Sequence, residues 1–187
     1  MPTRRTFVAG LTAAVFSSGL GPAFAGGLTL TGTRHDGTRI EPETIGGWRL
    51  VYFGYTFCPD VCPLGMQTIA EAMDALGPLA QAITPVFVTV DPARDTPKVL
   101  ADYVAFFHPR FVGITPSEDE LKAMTKAWRV KYARVEVGEG RPYLMDHTAS
   151  ILMADPAGEA AGRFPHDIGG AKLADKIRSV FLARSPS

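Results

Sequence analysis

Two short apolar runs, each followed by a segment with helical periodicity, constrain the fold of this chain more than any other feature. Residues 48–53 and 85–90 are apolar, rich in β-forming side chains and too short for helices, so they predict buried strands. Residues 64–79 carry apolar side chains at helical spacing, and a second helix is predicted over residues 97–107 with Thr96 as its N-cap. Strands that alternate with helices predict an α/β fold whose central sheet is covered by helices on both faces.

Turn and capping signals place the shorter elements. Asp36 and Gly37 form a strong turn signal between short strands at residues 28–31 and 38–40, which predicts an N-terminal β-hairpin. Ser117 begins a capping box and therefore opens a third helix. The remaining predictions are an end to that helix at residue 130, strands over residues 111–115, 132–137 and 148–153, and a final helix over residues 168–183.

Composition excludes several classes of protein. The 187 residues include 19 basic and 19 acidic side chains, so the chain lacks the broad basic face that nucleic-acid binding requires. Its two cysteines are too few for a disulfide-rich scaffold. A chain of this length can bury a core of its own, and no repeat, low-complexity segment or linker divides residues 26–187, so we predict one domain there. The chemistry of the chain must therefore reside in few side chains.

Residues 1–25 have the organisation of an export signal. Arg4 and Arg5 form a basic n-region, followed by an apolar stretch and by small residues at the expected cleavage site. The paired arginines are similar to a twin-arginine signal of bacteria, which predicts export in the folded state and a soluble periplasmic domain over residues 26–187. The alternative is an inner-membrane anchor formed by residues 7–25, because these 19 residues approach the ~20 that span a bilayer. Its glycines, hydroxyl side chains and proline make that stretch a poor permanent span.

Cys58 and Cys62 lie where the first predicted strand gives way to a helix. Pro63 predicts that the regular helix begins there, with Cys62 at or near its N-cap and Cys58 in the preceding turn. A helix N-terminus favours the thiolate, which is the form that bonds metals or attacks disulfides. Side chains four apart on a helix have Cβ atoms ~5–6 Å apart, wider than the ~3.5–4.5 Å of an unstrained disulfide, so the spacing favours a metal clamp. A strained, reversible disulfide and a purely stabilising one stay open as alternatives.

A further metal ligand would have to come from a histidine or a methionine. Two sulfurs favour copper(I) or zinc, and an imidazole suits either ion as a third ligand. His147 lies just ahead of a predicted strand, and its spacing from Cys58 cannot show whether the two meet. Met66 and Met145 could supply soft sulfur, but methionine is more often core filler, so both are left out of the predicted site. The other histidines are predicted to be solvated or capping residues; they are His35, His108 and His166.

Three motifs together resemble the Sco/SenC family of copper proteins. The first is Y-F-G-Y-T-F-C-P-D-V-C-P at residues 52–63, the second is V-T-V-D-P-A-R-D-T-P at residues 88–97, and the third is Y-L-M-D-H-T at residues 143–148. They occur in the order typical of that family and span most of residues 26–187. The first motif alone is highly specific, and the set makes a chance match improbable.

The resemblance implies a thioredoxin-like fold that has a mixed central sheet, helices on both faces and an N-terminal β-hairpin. It also implies one bound copper ion per chain, as Cu(I) with Cu(II) as a second state, whose ligands map onto Cys58, Cys62 and His147. By the same resemblance Asp91 lies near the site, where it orients the ligands or shapes partner docking. A turn-stabilising aspartate before a proline is an equal alternative for Asp91, and a helix start is an adequate explanation of Asp95.

The leading hypothesis for function is a periplasmic metallochaperone. The family resemblance implies that it delivers copper to the dinuclear copper centre of cytochrome c oxidase subunit II, or keeps the cysteines of that subunit reduced. The recipient could also be another copper protein, and the contact with a membrane protein is expected to be transient. Other periplasmic copper chaperones or thiol reductants are expected as further partners, whereas nucleic acid is not.

The alternative hypothesis is an enzyme, a thiol:disulfide oxidoreductase in which Cys58 attacks and Cys62 resolves. Both functions are compatible, because one site can deliver a metal and also reduce the thiols of its recipient. A copper-responsive sensor is a third candidate, although no appended signalling domain is evident in the sequence.

Overall fold

Nine strands and four α-helices make up residues 27–184, the part of the chain that the structure, a computed structural model, describes. In chain order the strands are β1 (Gly32–Arg34), β2 (Arg39–Ile40), β3 (Trp48–Gly54), β4 (Ile83–Thr89), β5 (Val112–Thr115), β6 (Tyr132–Val135), β7 (Leu144–His147), β8 (Ser150–Ala154) and β9 (Ala160–Pro165). The helices are α1 (Val61–Leu76), α2 (Pro97–Phe107), α3 (Glu118–Ala127) and α4 (Gly170–Arg184), and a 3-10 helix (Gly77–Ala82) follows α1.

The central sheet has seven strands in the order β2-β1-β5-β4-β3-β8-β9. β3, β4 and β5 run parallel to one another, and antiparallel strands flank them on both sides. The predicted mixed sheet and the N-terminal hairpin, formed by β1 and β2, are therefore confirmed. Among the described residues, β6 and β7 pair only with each other and form a separate two-stranded sheet.

Successive residues of β3 reach helices on opposite faces of the sheet. Tyr52 packs against α1 so closely that a Cβ on Gly65 would stand 2.7 Å from its ring. α4 packs against α1 on that side. Phe53 points the other way, and its ring centroid lies 6.1 Å from that of Trp128, which follows α3. Helices therefore cover both faces, as the sequence predicts.

Capping signals predict the starts of α2 and α3 correctly. The Thr96 hydroxyl accepts the N–H of Val99 at 3.4 Å, which caps α2. Ser117 and Glu120 form a complete capping box at the start of α3. α3 ends earlier than predicted because Arg129 adopts a left-handed backbone with φ of 53°, which a continuing helix does not allow.

Several other boundaries differ from prediction. α1 begins at Val61 rather than at Pro63, with Asp60 as its N-cap, because proline is tolerated throughout the first helical turn. The first strand begins at Gly32, later than predicted. β7 and β9 are not predicted at all, since their short, partly exposed segments lack the apolar runs that identify β3 and β4.

The predicted leader, residues 1–25, lies outside the described residues. Within residues 27–184, no helix combines the length and the apolar character needed to cross a bilayer. The first described residues are fixed by hydrogen bonds, because Leu28 donates its N–H to the Gly158 carbonyl at 2.7 Å and accepts Arg49 Nη1 at 3.2 Å.

Candidate metal centre

The two cysteines lie at the carboxyl end of β3, where it passes into α1. Cys58 is in the connecting turn, with its N–H directed at the Tyr55 carbonyl at 3.3 Å, and Cys62 is the second residue of α1. Both side chains are free thiols and both are buried, Cys62 fully and Cys58 with 9% of its surface exposed. The residue with a path to solvent is therefore Cys58. The structure contains no bond between the two sulfurs.

His147 joins the cysteines from the other end of the sequence. It is the last residue of β7, and its Nε2 atom lies 3.0 Å from Sγ of Cys62. One imidazole nitrogen and the two sulfurs, including that of Cys58, all lie within 4.8 Å of one another. The three side chains that the sequence singles out are thus brought together.

The hairpin of β6 and β7 sets the position of His147. Tyr132 pairs with His147 in the two-stranded register, and the Thr148 N–H donates to the Lys131 carbonyl at 2.9 Å. Nδ1 of His147 lies 3.4 Å from the Thr148 carbonyl oxygen, so a proton there would leave Nε2 free to accept or to bind a metal. The ring of Tyr55 also meets the imidazole edge-on, with a centroid distance of 6.0 Å.

The thiol pair is electrostatically asymmetric. A hydrogen bond from the Cys62 thiol, supported by His147 and by the backbone N–H groups of Asp60 and Cys62, lowers the pKa of Cys58 to about 3. The same hydrogen bond, together with burial, raises the pKa of Cys62. The pair therefore holds one proton between two sulfurs at neutral pH, with Cys58 as the thiolate.

The donor set fits a single soft metal ion. Metal–sulfur and metal–nitrogen bonds of ~2.0–2.3 Å allow ligand atoms to be up to ~4.6 Å apart, which is close to the 4.8 Å limit observed here. Two sulfurs and an imidazole select copper(I) or zinc, whereas calcium or magnesium would require oxygen ligands.

Gly54 is a site residue that the sequence alone does not single out. A Cβ added there would stand 2.9 Å from Sγ of Cys62 and 3.0 Å from the ring of Phe87. The missing side chain therefore leaves the space that the sulfur occupies. The available signal is a glycine at the end of an otherwise apolar strand, which indicates a close approach by another group.

Asp95 does more than begin a helix, which corrects the prediction made from the sequence. Its buried carboxylate accepts the N–H of Thr56 at 3.0 Å and the Thr56 hydroxyl at 2.6 Å. It also accepts the hydroxyl of Thr89 at 2.6 Å. Burial raises the pKa of Asp95. Because Thr56 lies two residues before Cys58, Asp95 fixes the loop that carries the first cysteine.

Asp91 is part of a hydrogen-bonded network rather than a simple turn residue. Its carboxylate forms an ion pair with Arg94 and accepts the hydroxyl of Tyr143 at 2.9 Å. Tyr143 directly precedes β7, so Asp91 is connected to the strand that carries His147. This contact favours the orienting role over the turn-stabilising alternative.

The remaining sequence candidates lie elsewhere or play other parts. Met66 is fully buried in the core. The backbone N–H of Met145 contacts the Tyr55 hydroxyl. The three other histidines each use Nδ1 in a contact with the backbone, away from the cysteines: His35 with Gly113 at 3.0 Å, His108 with Arg110 at 3.2 Å and His166 with Ala149 at 3.2 Å.

Comparison with protein families identifies the family of the chain. Residues 22–182 match the family model described as SCO1/SenC. The chain belongs to the SCO1/SenC family. The resemblance found in its three motifs is therefore confirmed over most of its length.

Individual SCO1/SenC proteins resemble the chain in sequence and in structure. The SCO2-like protein of Rickettsia felis is 40% identical over 137 residues, which cover 73% of this chain and 67% of that protein. The human mitochondrial protein SCO1 homolog is 33% identical over 159 residues, which cover 83% of this chain and 52% of that protein. The chain thus spans between about half and two thirds of the length of these relatives.

A solved SCO1/SenC structure confirms the fold. The crystal structure of Arabidopsis thaliana ScoI with copper bound superposes with a TM-score of 0.77 and 31% identity, over 84% of this chain and 98% of that one. The thioredoxin-like fold implied by the motifs is therefore confirmed, and this relative is a copper-bound protein.

Proposed function

We propose that this chain binds one copper ion through Cys58, Cys62 and His147 and delivers it in the periplasm to the dinuclear copper centre of cytochrome c oxidase subunit II. The observation that carries the proposal is the convergence of two sulfurs and one imidazole nitrogen within 4.8 Å. Membership of the SCO1/SenC family and the likeness to a copper-bound ScoI support copper as the ion.

The site has the features that transfer of a metal requires. The Cys58 thiolate is ready to bind, and entry of the ion displaces the proton that Cys62 retains. Cys58 is the more exposed of the two cysteines, so a thiolate of the recipient can replace it first. Phe57, beside it, is 51% exposed and offers an apolar contact at the mouth of the site. Exchange then proceeds ligand by ligand, without a free ion.

Metal analysis of the purified chain tests the proposal. We expect about one copper per chain in the wild type and large losses in Cys58→Ser, Cys62→Ser and His147→Ala. His108→Ala is the matched control, because its imidazole contacts the backbone of its own loop and Asp74 at the end of α1 away from the cysteines. Tight copper binding that is unaffected by His147→Ala would contradict the three-ligand site.

A second function, thiol:disulfide oxidoreductase, is favoured by the lowered pKa of Cys58 next to a protonated Cys62. The Cys58 thiolate would attack a partner disulfide, form a mixed disulfide and release one partner thiolate. Cys62 would lose its proton and attack the Cys58 sulfur, which releases the second partner thiol and leaves the chain oxidised by two electrons. Reduction of a disulfide that persists in the copper-free His147→Ala chain and is lost in Cys58→Ser would support this function independently of copper.

A further inference from the structure

The strand that carries His147 is not part of the central sheet. Within residues 27–184, β6 and β7 pair only with each other. His147 must nevertheless be held 3.0 Å from Cys62, which belongs to the main body of the domain. Contacts between side chains and the backbone of this hairpin therefore decide where the imidazole lies.

Arg94 makes several contacts between the body and the hairpin. It lies in the loop after β4, and its Nη1 donates to the Tyr143 carbonyl at 2.9 Å. Its guanidinium carbon is 3.7 Å from the centroid of the Tyr143 ring. It also forms an ion pair with Asp91, which accepts the Tyr143 hydroxyl. We refer to these three residues as the Asp91–Arg94–Tyr143 latch.

The side of the latch that belongs to the body is well fixed. Asp91 is 4% exposed, and its N–H donates to the hydroxyl of Thr89 at 2.9 Å, in the last residue of the central strand β4. The N–H of Arg94 donates to the Asp91 carbonyl at 3.1 Å. The loop therefore presents Arg94 from a rigid support.

Arg134 provides an internal comparison. Its guanidinium carbon lies 3.8 Å from the Tyr143 ring, almost the same distance as that of Arg94. Arg134 is itself in β6, however, and its side chain is 58% exposed and paired with Glu136. The two arginines thus stack on the same ring, but only Arg94 connects the ring to the body of the domain.

We propose that Arg94 is a positioning residue that latches the β6–β7 hairpin at Tyr143 and thereby holds His147 against the cysteines. The proposal rests on the proposed role of His147 as a ligand. Tyr143 and His147 are four residues apart, or ~13 Å along an extended strand. Movement of Tyr143 therefore changes the position of the His147 imidazole. The hydroxyl bond of Tyr143 to Asp91 and the contact of Met145 N–H with Tyr55 both remain when Arg94 is replaced, so we expect loosening rather than detachment of the hairpin.

Hydrogen exchange of the copper-free chain tests the latch directly. In Arg94→Gln we expect the amides of residues 132–135 and 144–147 to exchange about tenfold faster, as expected for the loss of one charge-assisted hydrogen bond. Amides of β3 and β4 should keep their wild-type rates. Arg134→Gln, the matched control, should leave the hairpin close to wild type. Equal effects of the two variants, or no effect of Arg94→Gln, would overturn the proposal.

A double-mutant cycle on Cu(I) affinity separates positioning from a general structural effect. Arg94→Gln should weaken binding about tenfold in the wild-type background and by a much smaller factor in a His147→Ala background, because Arg94 acts chiefly through that imidazole. A small residual effect is expected there, since the Arg94 guanidinium carbon also lies 5.1 Å from the centroid of the Phe57 ring, beside Cys58. Additive losses would overturn the role. If the wild type binds no copper, the proposed function fails, and the exchange experiment still decides whether the latch exists.

Discussion

Nε2 of His147 lies 3.0 Å from Sγ of Cys62, although 85 residues separate them in the sequence. The contact joins a small two-stranded hairpin to the first turn of α1 at the carboxyl end of the central sheet. Open α/β sheets concentrate functional groups at that end, because successive strands finish there and loops converge. The position of the imidazole relative to the thiol therefore depends on how the hairpin is held against the central sheet.

Gly54→Ala should disturb Cys62 directly. A Cβ at position 54 would stand 2.9 Å from Sγ of Cys62 and 3.0 Å from Phe87, so the sulfur must move. We expect destabilisation of ~1–3 kcal/mol from overpacking, and weaker copper binding by at least about tenfold. Urea unfolding and chelator competition measure the two effects. Gly46→Ala is the control, since a Cβ there meets nothing within 4 Å. A normal copper affinity in Gly54→Ala would argue against a fixed Cys62.

The thiolate at Cys58 should react with iodoacetamide at a nearly constant rate from about pH 5 to about pH 8. The hydrogen bond from Cys62 lowers the pKa of Cys58 to about 3, so the thiolate fraction is already complete in this range. Cys62→Ala removes that bond, and the rate should then rise with pH. Mass spectrometry of the peptide that contains Cys58 measures the modification. A wild-type rate that rises about tenfold per pH unit would show that Cys58 is an ordinary thiol.

The sequence predicts elements where the signal is local. Thr96 and Ser117 cap helices because a side-chain oxygen meets a backbone N–H a few residues away, a contact that short-range spacing specifies. The two cysteines likewise follow from one strand-to-helix junction. The approach of His147 depends on β7, which is short and half exposed and therefore has no apolar pattern. Only the likeness of its motif to a family could place it.

Contacts between separate elements explain the rest of what the sequence does not reveal. The space left by Gly54 depends on a sulfur eight positions further along the chain, and the buried hydrogen bonds of Asp95 depend on Thr56 in another loop. Neither is encoded by periodicity or by capping. The sequence alone does not distinguish a buried, hydrogen-bonded aspartate from an aspartate in an exposed turn, because the hydrogen-bond partners lie elsewhere in the chain.

The stability of the fold should depend on pH through Asp95. Burial raises the pKa of Asp95 in the folded state above its value in the unfolded state. The contribution of Asp95 to the free energy of unfolding is therefore fully present below the unfolded-state pKa and is lost as the pH rises through the folded-state pKa. The free energy of unfolding of the wild type, relative to Asp95→Asn, should therefore fall from about pH 4 towards neutrality. Urea unfolding at a series of pH values measures it. Asp119→Asn, with a fully solvated side chain, is the control for loss of a charge. A difference that grows with pH would contradict the assignment.

Thr56→Val should separate ordering of the cysteine loop from bulk stability. The change keeps the shape of the side chain and the N–H bond to Asp95, but removes the 2.6 Å hydroxyl contact with that carboxylate. Hydrogen bonds to charged groups contribute ~1.5–3 kcal/mol, so the free energy of unfolding should drop by about that amount. Copper affinity should fall as well, because Thr56 lies two residues before Cys58 and the loop must then be ordered on binding.

The matched control for this change is Thr125→Val. Thr125 is also buried, but its hydroxyl donates to the Leu121 carbonyl within α3 at 2.7 Å and has no contact with the cysteine loop. Its replacement should cost less stability, because a neutral hydrogen bond contributes only ~0.5–1.5 kcal/mol, and should leave copper affinity unchanged. If both variants lowered copper affinity in proportion to their loss of stability, the affinity loss in Thr56→Val would follow from lower overall stability and not from disorder of the cysteine loop. A loss of copper affinity in Thr56→Val but not in Thr125→Val would show that the bond to Asp95 anchors the loop that carries Cys58.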